Sequence, residues 1–177
     1  MMRFVALLRA VNVGGRTVTM DRLRVLFAEL GLERVTTVIA SGNVLFDARS
    51  KNGAALEGRI ETYLERTLGY QVATFVRTPA ELSAVAAHPA FPPRALSAPG
   101  SRLFVAFLKS VPTAAAVKKA LALQAETDSL VVRGREVYWL CRVPSNESAL
   151  SGGALEKTLG QPATVRNIRT VVKLSRG

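Results

Sequence analysis

The stretch FVALLRAV at residues 4–11 recurs one hundred positions later as FVAFLKSV at residues 104–111. Two further pairs of segments follow in the same order: ERTLG at 65–69 with EKTLG at 156–160, and QVAT at 71–74 with QPAT at 161–164. Matches in one order at a nearly constant offset predict an internal duplication. Convergent use of short Val, Ala and Leu runs is the alternative explanation.

The residues around each copy predict the element order β-α-β-β-α-β. The first copy has strand patterns at 4–11, 35–40, 44–47 and 71–77, a helix from Thr19 to Gly31 and a helix after Asn52. The second copy predicts a helix at 113–124, strands at 129–133 and 136–142, and a helix that ends at Leu159. This order is that of the ferredoxin-like fold, or α-β plait. We therefore predict an α+β protein, a tandem duplication of a ferredoxin-like βαββαβ unit with an extra linker helix and a C-terminal helix.

A linker separates the two predicted units. The sequence TPAE at 78–81 is a capping box with proline at the first helical position, which predicts a helix that continues to about Ala87. A Pro-rich stretch follows it. The predicted organisation is a first unit at 1–78, a linker helix and Pro-rich connection at 79–101, and a second unit with a C-terminal basic helix at 102–177.

The first strand of each unit is apolar on both faces. Successive residues of a strand point to opposite sides, so Phe4, Ala6 and Leu8 share one face while Val5 and Leu7 share the other. A strand with this pattern has to be covered on both faces. We expect helices on one side of each sheet and a further apolar surface on the other.

Composition excludes several classes of protein. The chain has 177 residues, one Cys and one His, so a disulfide framework and a zinc or iron–sulfur site are excluded, and no cofactor or metal is expected. A catalytic triad would depend on His88 alone, and no catalytic residues are recognised. No apolar run approaches the roughly 20 residues of a membrane-spanning helix. We expect a cytoplasmic protein without a membrane partner, while the oligomeric state and any enzymatic activity stay open.

The net charge of +11 is concentrated after His88, where 13 Lys and Arg residues stand against 5 Asp and Glu residues. Near the C-terminus, cations spaced at i, i+3, i+7 and i+10 predict a basic stripe on one helix, with apolar residues opposite. The stripe consists of Arg166, Arg169, Lys173 and Arg176. It could contact phosphates, or it could be an ordinary solvated face.

Three loops carry candidate ligand-binding residues. A loop with two glycines and a cation can cradle an anion, a turn can display a hydroxyl and an amide, and an arginine beside an amide can bind a carboxylate or phosphate. These residues are Asn12, Gly14, Gly15, Arg16, Ser41, Asn43, Arg166 and Asn167. Structural explanations stay open: positive φ for the glycines, a hairpin turn at 41–43 and a helix cap at Asn167. His88 and Cys141 are predicted to be structural.

Three separated segments resemble the signature segments of the bacterial domain-of-unknown-function family sixteen ninety-seven. They are LLRAVNVGG at 7–15, ASGNVLF at 40–46, and a third that runs from ATVRNI at 163–168 through TVVKL at 170–174. The resemblance covers essentially the whole chain and implies a cytoplasmic bacterial protein of two ferredoxin-like halves, with no known activity. The family usually has glycine and isoleucine in place of Ala10 and Val11, glutamine in place of Ala40 and tryptophan in place of Ile168.

Three functions are compatible with the sequence. We predict a binding protein for a small anionic or phosphate-bearing ligand. The first alternative is a nucleic-acid-binding module, because the RNA recognition motif has the same element order, and the segment 103–108 resembles its first motif. However, Arg135 and Glu136 occupy the places of the stacking aromatic and the small residue of the second. The other alternative is a structural or interaction protein without a pocket.

Overall fold

Two four-stranded antiparallel sheets and seven helices make up the described part of this computed structural model, residues 1–39 and 42–177. The predicted α+β class is therefore confirmed. The chain divides into unit 1, which contains Met1–Ser83 and Lys173–Gly177, and unit 2, which contains Ala84–Val172. One boundary falls inside the linker helix and the other inside the C-terminal helix.

Unit 1 contains one sheet with the strand order β2-β3-β1-β4. Its elements are β1 (Met2–Leu8), α1 (Met20–Glu29), β2 (Glu33–Thr37), β3 (Asn43–Ala48), α2 (Gly53–Leu68) and β4 (Thr74–Arg77). The predicted helix caps form: the Thr19 hydroxyl accepts from the Arg22 N–H, and the Asn52 amide oxygen accepts from the Ala55 N–H. Gly69 ends α2 in the left-handed conformation.

Unit 2 has a sheet with the corresponding order, β6-β7-β5-β8. Its elements are β5 (Arg102–Leu108), α5 (Ala114–Leu121), β6 (Asp128–Arg133), β7 (Glu136–Cys141), α6 (Gly152–Leu159) and β8 (Ala163–Asn167). Three more helices complete the chain: α3 (Pro79–Ala87), α4 (Pro93–Leu96) and α7 (Ile168–Leu174). Helix α4 was not predicted, and it lies inside the Pro-rich stretch.

The central strands β1 and β5 are buried on both faces, as their sequences predict. In β1, Phe4, Ala6 and Leu8 belong to the core that contains α1 and α2, and Val5 and Leu7 on the opposite face are fully buried. In β5, Ala106 and Leu108 belong to the core that contains α5 and α6. The capping box of α3 also forms, because the Thr78 N–H donates to Glu81 and the Glu81 N–H donates to the Thr78 hydroxyl.

The predicted basic stripe does not lie on one helix. Arg166 is in β8 and its side chain is buried, α7 begins only at Ile168, and Arg176 follows the end of that helix. Only Arg169 and Lys173 are helical. The error has a simple cause: spacings of three and seven fit a helix only if the helix has already started, and here the chain is still extended at Arg166.

Helix α2 covers the outer edge of β4. The backbone N–H groups of Thr74 and Val76 donate to the carboxylates of Glu61 and Glu57, at 2.8 Å each. Arg77 lies 3.8 Å from the buried carboxylate of Glu57. Two glutamates one helical turn apart therefore bind alternate N–H groups of the strand, which prevents that edge from pairing with another strand.

A buried carboxylate organises unit 2. The side chain of Asp128 accepts hydrogen bonds from the indole of Trp139 at 2.6 Å, the hydroxyl of Thr127 at 2.7 Å and the hydroxyl of Ser148 at 2.8 Å. Burial acts to raise the pKa of Asp128, but these donors outweigh it and hold the pKa below the ordinary value of 3.8. The carboxylate is therefore ionised at neutral pH, and it ties the loop at Ser148 to the sheet.

We predict that Asp128→Asn lowers the free energy of unfolding by about 2–4 kcal/mol at neutral pH, since a neutral amide cannot satisfy three donors. Because the folded-state pKa lies below the unfolded value, this stabilisation is present above about pH 4 and is lost as the pH falls further. Urea unfolding at several pH values measures both effects. The same substitution at Asp21, whose side chain is 82% exposed, should change the free energy by less than about 0.5 kcal/mol.

A second prediction concerns Ala10, which has a φ of 55° just after β1. This left-handed conformation is unfavourable for alanine and favourable for glycine. The same preference explains why the family that the sequence resembles usually has glycine in place of Ala10. We expect Ala10→Gly to raise the free energy of unfolding by about 0.5–1 kcal/mol in chemical denaturation. Ala28→Gly, in the last turn of α1, is the control and should lower it. A destabilised Ala10→Gly variant would contradict the assignment of strain.

Candidate functional site

A cavity of about 550 Å³ lies in unit 2, where the start of β5 runs beside the end of β8. Its lining comes from the end of α3 and the residue after it, from α4 and the turn that follows, from β5, from β8 and from the first turn of α7. The lining residues are Ala86, His88, Leu96, Gly100, Ser101, Arg102, Leu103, Asn167, Ile168 and Arg169. Gly100 has a φ of 81°, which allows the chain to turn into β5.

His88 is held in the cavity wall by two contacts. Nδ1 of its ring lies 2.5 Å from the guanidinium of Arg133, and its ring centroid lies 5.1 Å from that of Tyr138. The Tyr138 hydroxyl donates to the backbone carbonyl of Val85 at 3.0 Å. Since this carbonyl is in the last turn of α3, where helical carbonyls lack partners within the helix, the bond anchors the end of α3 on β7. Burial raises the pKa of Tyr138 to about 12.

The polar side chains of the wall are mainly hydrogen-bond donors. The guanidinium groups of Arg102 and Arg169 make no hydrogen bond or ion pair with any described residue. Ser101 Oγ is buried and has no hydrogen-bond partner within residues 1–39 and 42–177. The amide oxygen of Asn167 accepts from the backbone N–H of Arg169 at 2.9 Å, which leaves the amide N–H groups for a ligand.

The electrostatic character of the wall is positive. None of the ten described residues that line it is acidic. Unit 2 as a whole carries eleven Lys and Arg residues against five Asp and Glu residues. Four lining residues, Ala86, Leu96, Leu103 and Ile168, are apolar, so the cavity combines cationic and aliphatic surface. Within the described ranges, no cluster of three or more His, Cys, Asp and Glu side chains is arranged to hold a metal ion.

The first predicted loop is held together by its own side chains. The amide of Asn12 donates to the Val18 carbonyl at 3.3 Å and accepts from the Val18 N–H at 2.6 Å, which closes the loop. Arg16 lies over the ring of Tyr70, 4.4 Å from its centroid. Gly14 and Gly15 have φ values of 62° and 80°, so the turn itself requires glycine there.

The second predicted loop is a hairpin connection. The amide of Asn43 is buried and donates to the carbonyl of Val38 at 3.0 Å, while the Val38 N–H donates to the Asn43 carbonyl. Ser41 lies outside the described residues. The contacts of Asn43 therefore support its structural interpretation, in which it joins β2 to β3.

Arg166 and Asn167 point in different directions because they are neighbours in a strand. The Arg166 guanidinium donates to the Thr164 hydroxyl at 2.8 Å and to the Val165 carbonyl at 2.9 Å. Burial lowers the pKa of Arg166 to about 10. Asn167 lines the cavity and Arg166 does not, so only one member of the predicted pair is placed to contact a ligand there.

Sequence patterns predicted roles for Asn167 and Arg169 but not for the other polar residues of this wall. His88 was assigned a structural role, although the chain contains no other histidine and His88 comes directly after the capped helix α3. Ser101 and Arg102 follow the turn marked by Pro99-Gly100, which is a signal that could have drawn attention to them. No sequence signal connects Arg133 to His88, 45 positions away.

Comparison with known proteins gives a family and a fold. The family model described as Protein of unknown function (DUF1697) matches residues 1–138. The solved structure of the conserved bacterial protein SP0830 from Streptococcus pneumoniae is similar, with 22% identity, a TM-score of 0.69, and coverage of 98% of this chain and 97% of that chain. No curated protein matches the sequence. No helix in the described ranges is long and apolar enough to cross a membrane.

The anchoring role of Tyr138 leads to a prediction. Tyr138→Phe leaves the Val85 carbonyl without its phenolic donor, and we expect a loss of about 1–2 kcal/mol in the free energy of unfolding. Because the folded-state pKa is raised, the contribution is present below about pH 10 and is lost as the pH rises further. In an ultraviolet titration, the wild type shows three tyrosines, and the Tyr138→Phe variant should lack the phenol that ionises at about pH 12. Tyr63→Phe should retain that phenol; its loss in this control would contradict the assignment.

Proposed function

We propose that this chain, which belongs to the DUF1697 family of proteins of unknown function, binds a small anionic ligand in the cavity of unit 2. One observation carries the proposal: the wall presents two guanidinium groups without partners in the described structure, and no acidic residue lines it. Guanidinium groups form strong, charge-assisted hydrogen bonds with carboxylates and phosphates. Ser101 and Asn167 add neutral donors beside them.

The size and the apolar part of the wall indicate an organic anion. A volume of about 550 Å³ is within the range of roughly 300–1,000 Å³ that is typical of small-molecule sites. A bare phosphate would fill only a small part of it. The aliphatic side chains of Leu96, Leu103 and Ile168 provide a surface for a carbon skeleton, while the cations bind the charged group. A phosphate-bearing or carboxylate-bearing small molecule fits this division.

The architecture supports a tandem duplication of a ferredoxin-like unit, with copies at 1–78 and 102–177 and a linker at 79–101. The two sheets have corresponding strand orders, β2-β3-β1-β4 and β6-β7-β5-β8. Their central strands pair in corresponding register, since Phe4 lies opposite Phe46 and Phe104 lies opposite Trp139. In this scheme the copies have diverged, and the anion site is formed by the second copy together with the linker.

Inorganic phosphate is the probe for a binding test. Its binding is measured by calorimetry or from the NMR signals of the ring of the single histidine, His88. We expect the double variant Arg102→Ala/Arg169→Ala to weaken binding at least tenfold, because each charge-assisted hydrogen bond contributes about 1.5–3 kcal/mol. The matched control is Lys118→Ala/Lys119→Ala on α5, which removes the same charge from an exposed part of unit 2.

The two double variants separate a site from general electrostatic attraction. Equal losses in both would mean that phosphate responds only to net charge, and an unchanged affinity in the Arg102/Arg169 variant would place binding elsewhere; either result overturns the proposal. A single-stranded oligonucleotide is the second probe. Tight, salt-dependent oligonucleotide binding that is insensitive to the cavity variants would favour the nucleic-acid alternative.

A further inference from the structure

Arg133 is the last residue of β6, and it reaches His88 although it does not line the cavity. The bond joins one guanidinium nitrogen of Arg133 to Nδ1 of the imidazole at 2.5 Å. A guanidinium carries only donors and stays protonated, so Nδ1 has to accept with its lone pair. The neutral ring therefore carries its proton on Nε2.

We infer that Arg133 is a positioning residue, which holds His88 as an Nε2–H donor for the ligand of this cavity. The inference rests on the proposed function. A neutral histidine can normally exchange between two tautomers, and so it can either donate to a ligand or accept from it. Arg133 removes this choice. The tilted ring of Tyr138, itself anchored on Val85, restricts the orientation of the imidazole.

The consequence is a defined class of ligand. With His88 fixed as a donor and one lone pair of the Asn167 amide oxygen bound to the N–H of Arg169, donors outnumber acceptors among the described lining side chains. The acceptor sites that stay free are the hydroxyl of Ser101 and the second lone pair of the Asn167 oxygen. Such a wall satisfies an oxyanion that has lost all its protons. A group that brings its own O–H finds little to donate to. The site is therefore specific for ionised phosphoryl or carboxylate groups over their protonated or neutral analogues.

The experiment uses the full chain, in which His88 is the only histidine. Nitrogen-15 NMR of the imidazole identifies the tautomer without any ligand, at a pH where the ring is neutral. We compare the wild type with Arg133→Met, which removes the donor, and with Arg133→Lys, which retains one. Arg94→Met is the control, because it removes an exposed charge of unit 2 that has no partner within the described ranges.

The expected result has two parts. The wild type and Arg94→Met show the Nε2–H tautomer, Arg133→Met shows a mixture of tautomers, and Arg133→Lys recovers most of the wild-type signal. Affinity for inorganic phosphate falls in Arg133→Met in proportion to the remaining fraction of the Nε2–H tautomer, about twofold for an equal mixture, and is largely restored in Arg133→Lys, because only that tautomer donates to the anion. A merely structural role for Arg133 would leave the tautomer unchanged.

Three outcomes would overturn the inference. An unchanged tautomer in Arg133→Met shows that Arg133 does not control the ring. A changed tautomer with unchanged phosphate affinity shows that the ring does not contact the anion. If the wild type shows the Nε2–H tautomer but binds no phosphate, the proposed function fails, and the positioning role fails with it. The ligand-free spectra would still show whether Arg133 controls the tautomer of His88. The spectra thus distinguish an error about Arg133 from an error about the site.

Discussion

Each sheet is built around a strand that is apolar on both faces, and this constraint decides where polar chemistry can occur. Val5 and Leu7 on one side of β1, and Phe4 and Ala6 on the other, are buried. A polar group in the middle of such a strand would lose its hydration without gaining a partner. The polar side chains of β1 and β5 are therefore confined to the strand ends. Antiparallel pairing of β5 with β8 places the start of one beside the end of the other, and the cavity lies at that corner.

The two units use their cations differently. In unit 1, Asp47 is buried between Arg3 and Arg34, and although burial opposes ionisation, these partners hold its pKa below the ordinary value. The arginines there stabilise a carboxylate, which cancels one of their two positive charges. In unit 2, Arg102 and Arg169 line the cavity and meet no carboxylate among the described residues. A similar framework thus yields a closed ion-pair cluster in one unit and a cationic wall in the other.

Local signals predicted the framework, whereas the site depends on contacts that no local signal contains. The caps at Thr19, Asn52 and Thr78 were predictable because each is decided within three or four residues. The position of Arg166 was not, since its spacing from Arg169 fits a helix equally well and only its pairing with Val105 makes it a strand residue. His88 illustrates the same limit. Its partners, Arg133 and Tyr138, come from the neighbouring strands β6 and β7, and their approach is a property of the sheet.

The distribution of aromatic side chains favours a pocket over a stacking surface in unit 2. A nucleic-acid platform of the RNA recognition type needs exposed aromatic rings on its sheet. Phe107 and Tyr138 are buried, with the hydroxyl of Tyr138 bound to α3, and Trp139 is buried with its indole donating to Asp128. These rings stabilise the unit, because Tyr138 anchors the end of α3 and Trp139 donates to the buried Asp128 carboxylate. Under the proposed function, part of the excess positive charge acts at the cavity, where two guanidinium groups have no partner among the described residues, and a small anion enclosed there would gain contacts that an extended polymer on the surface would not.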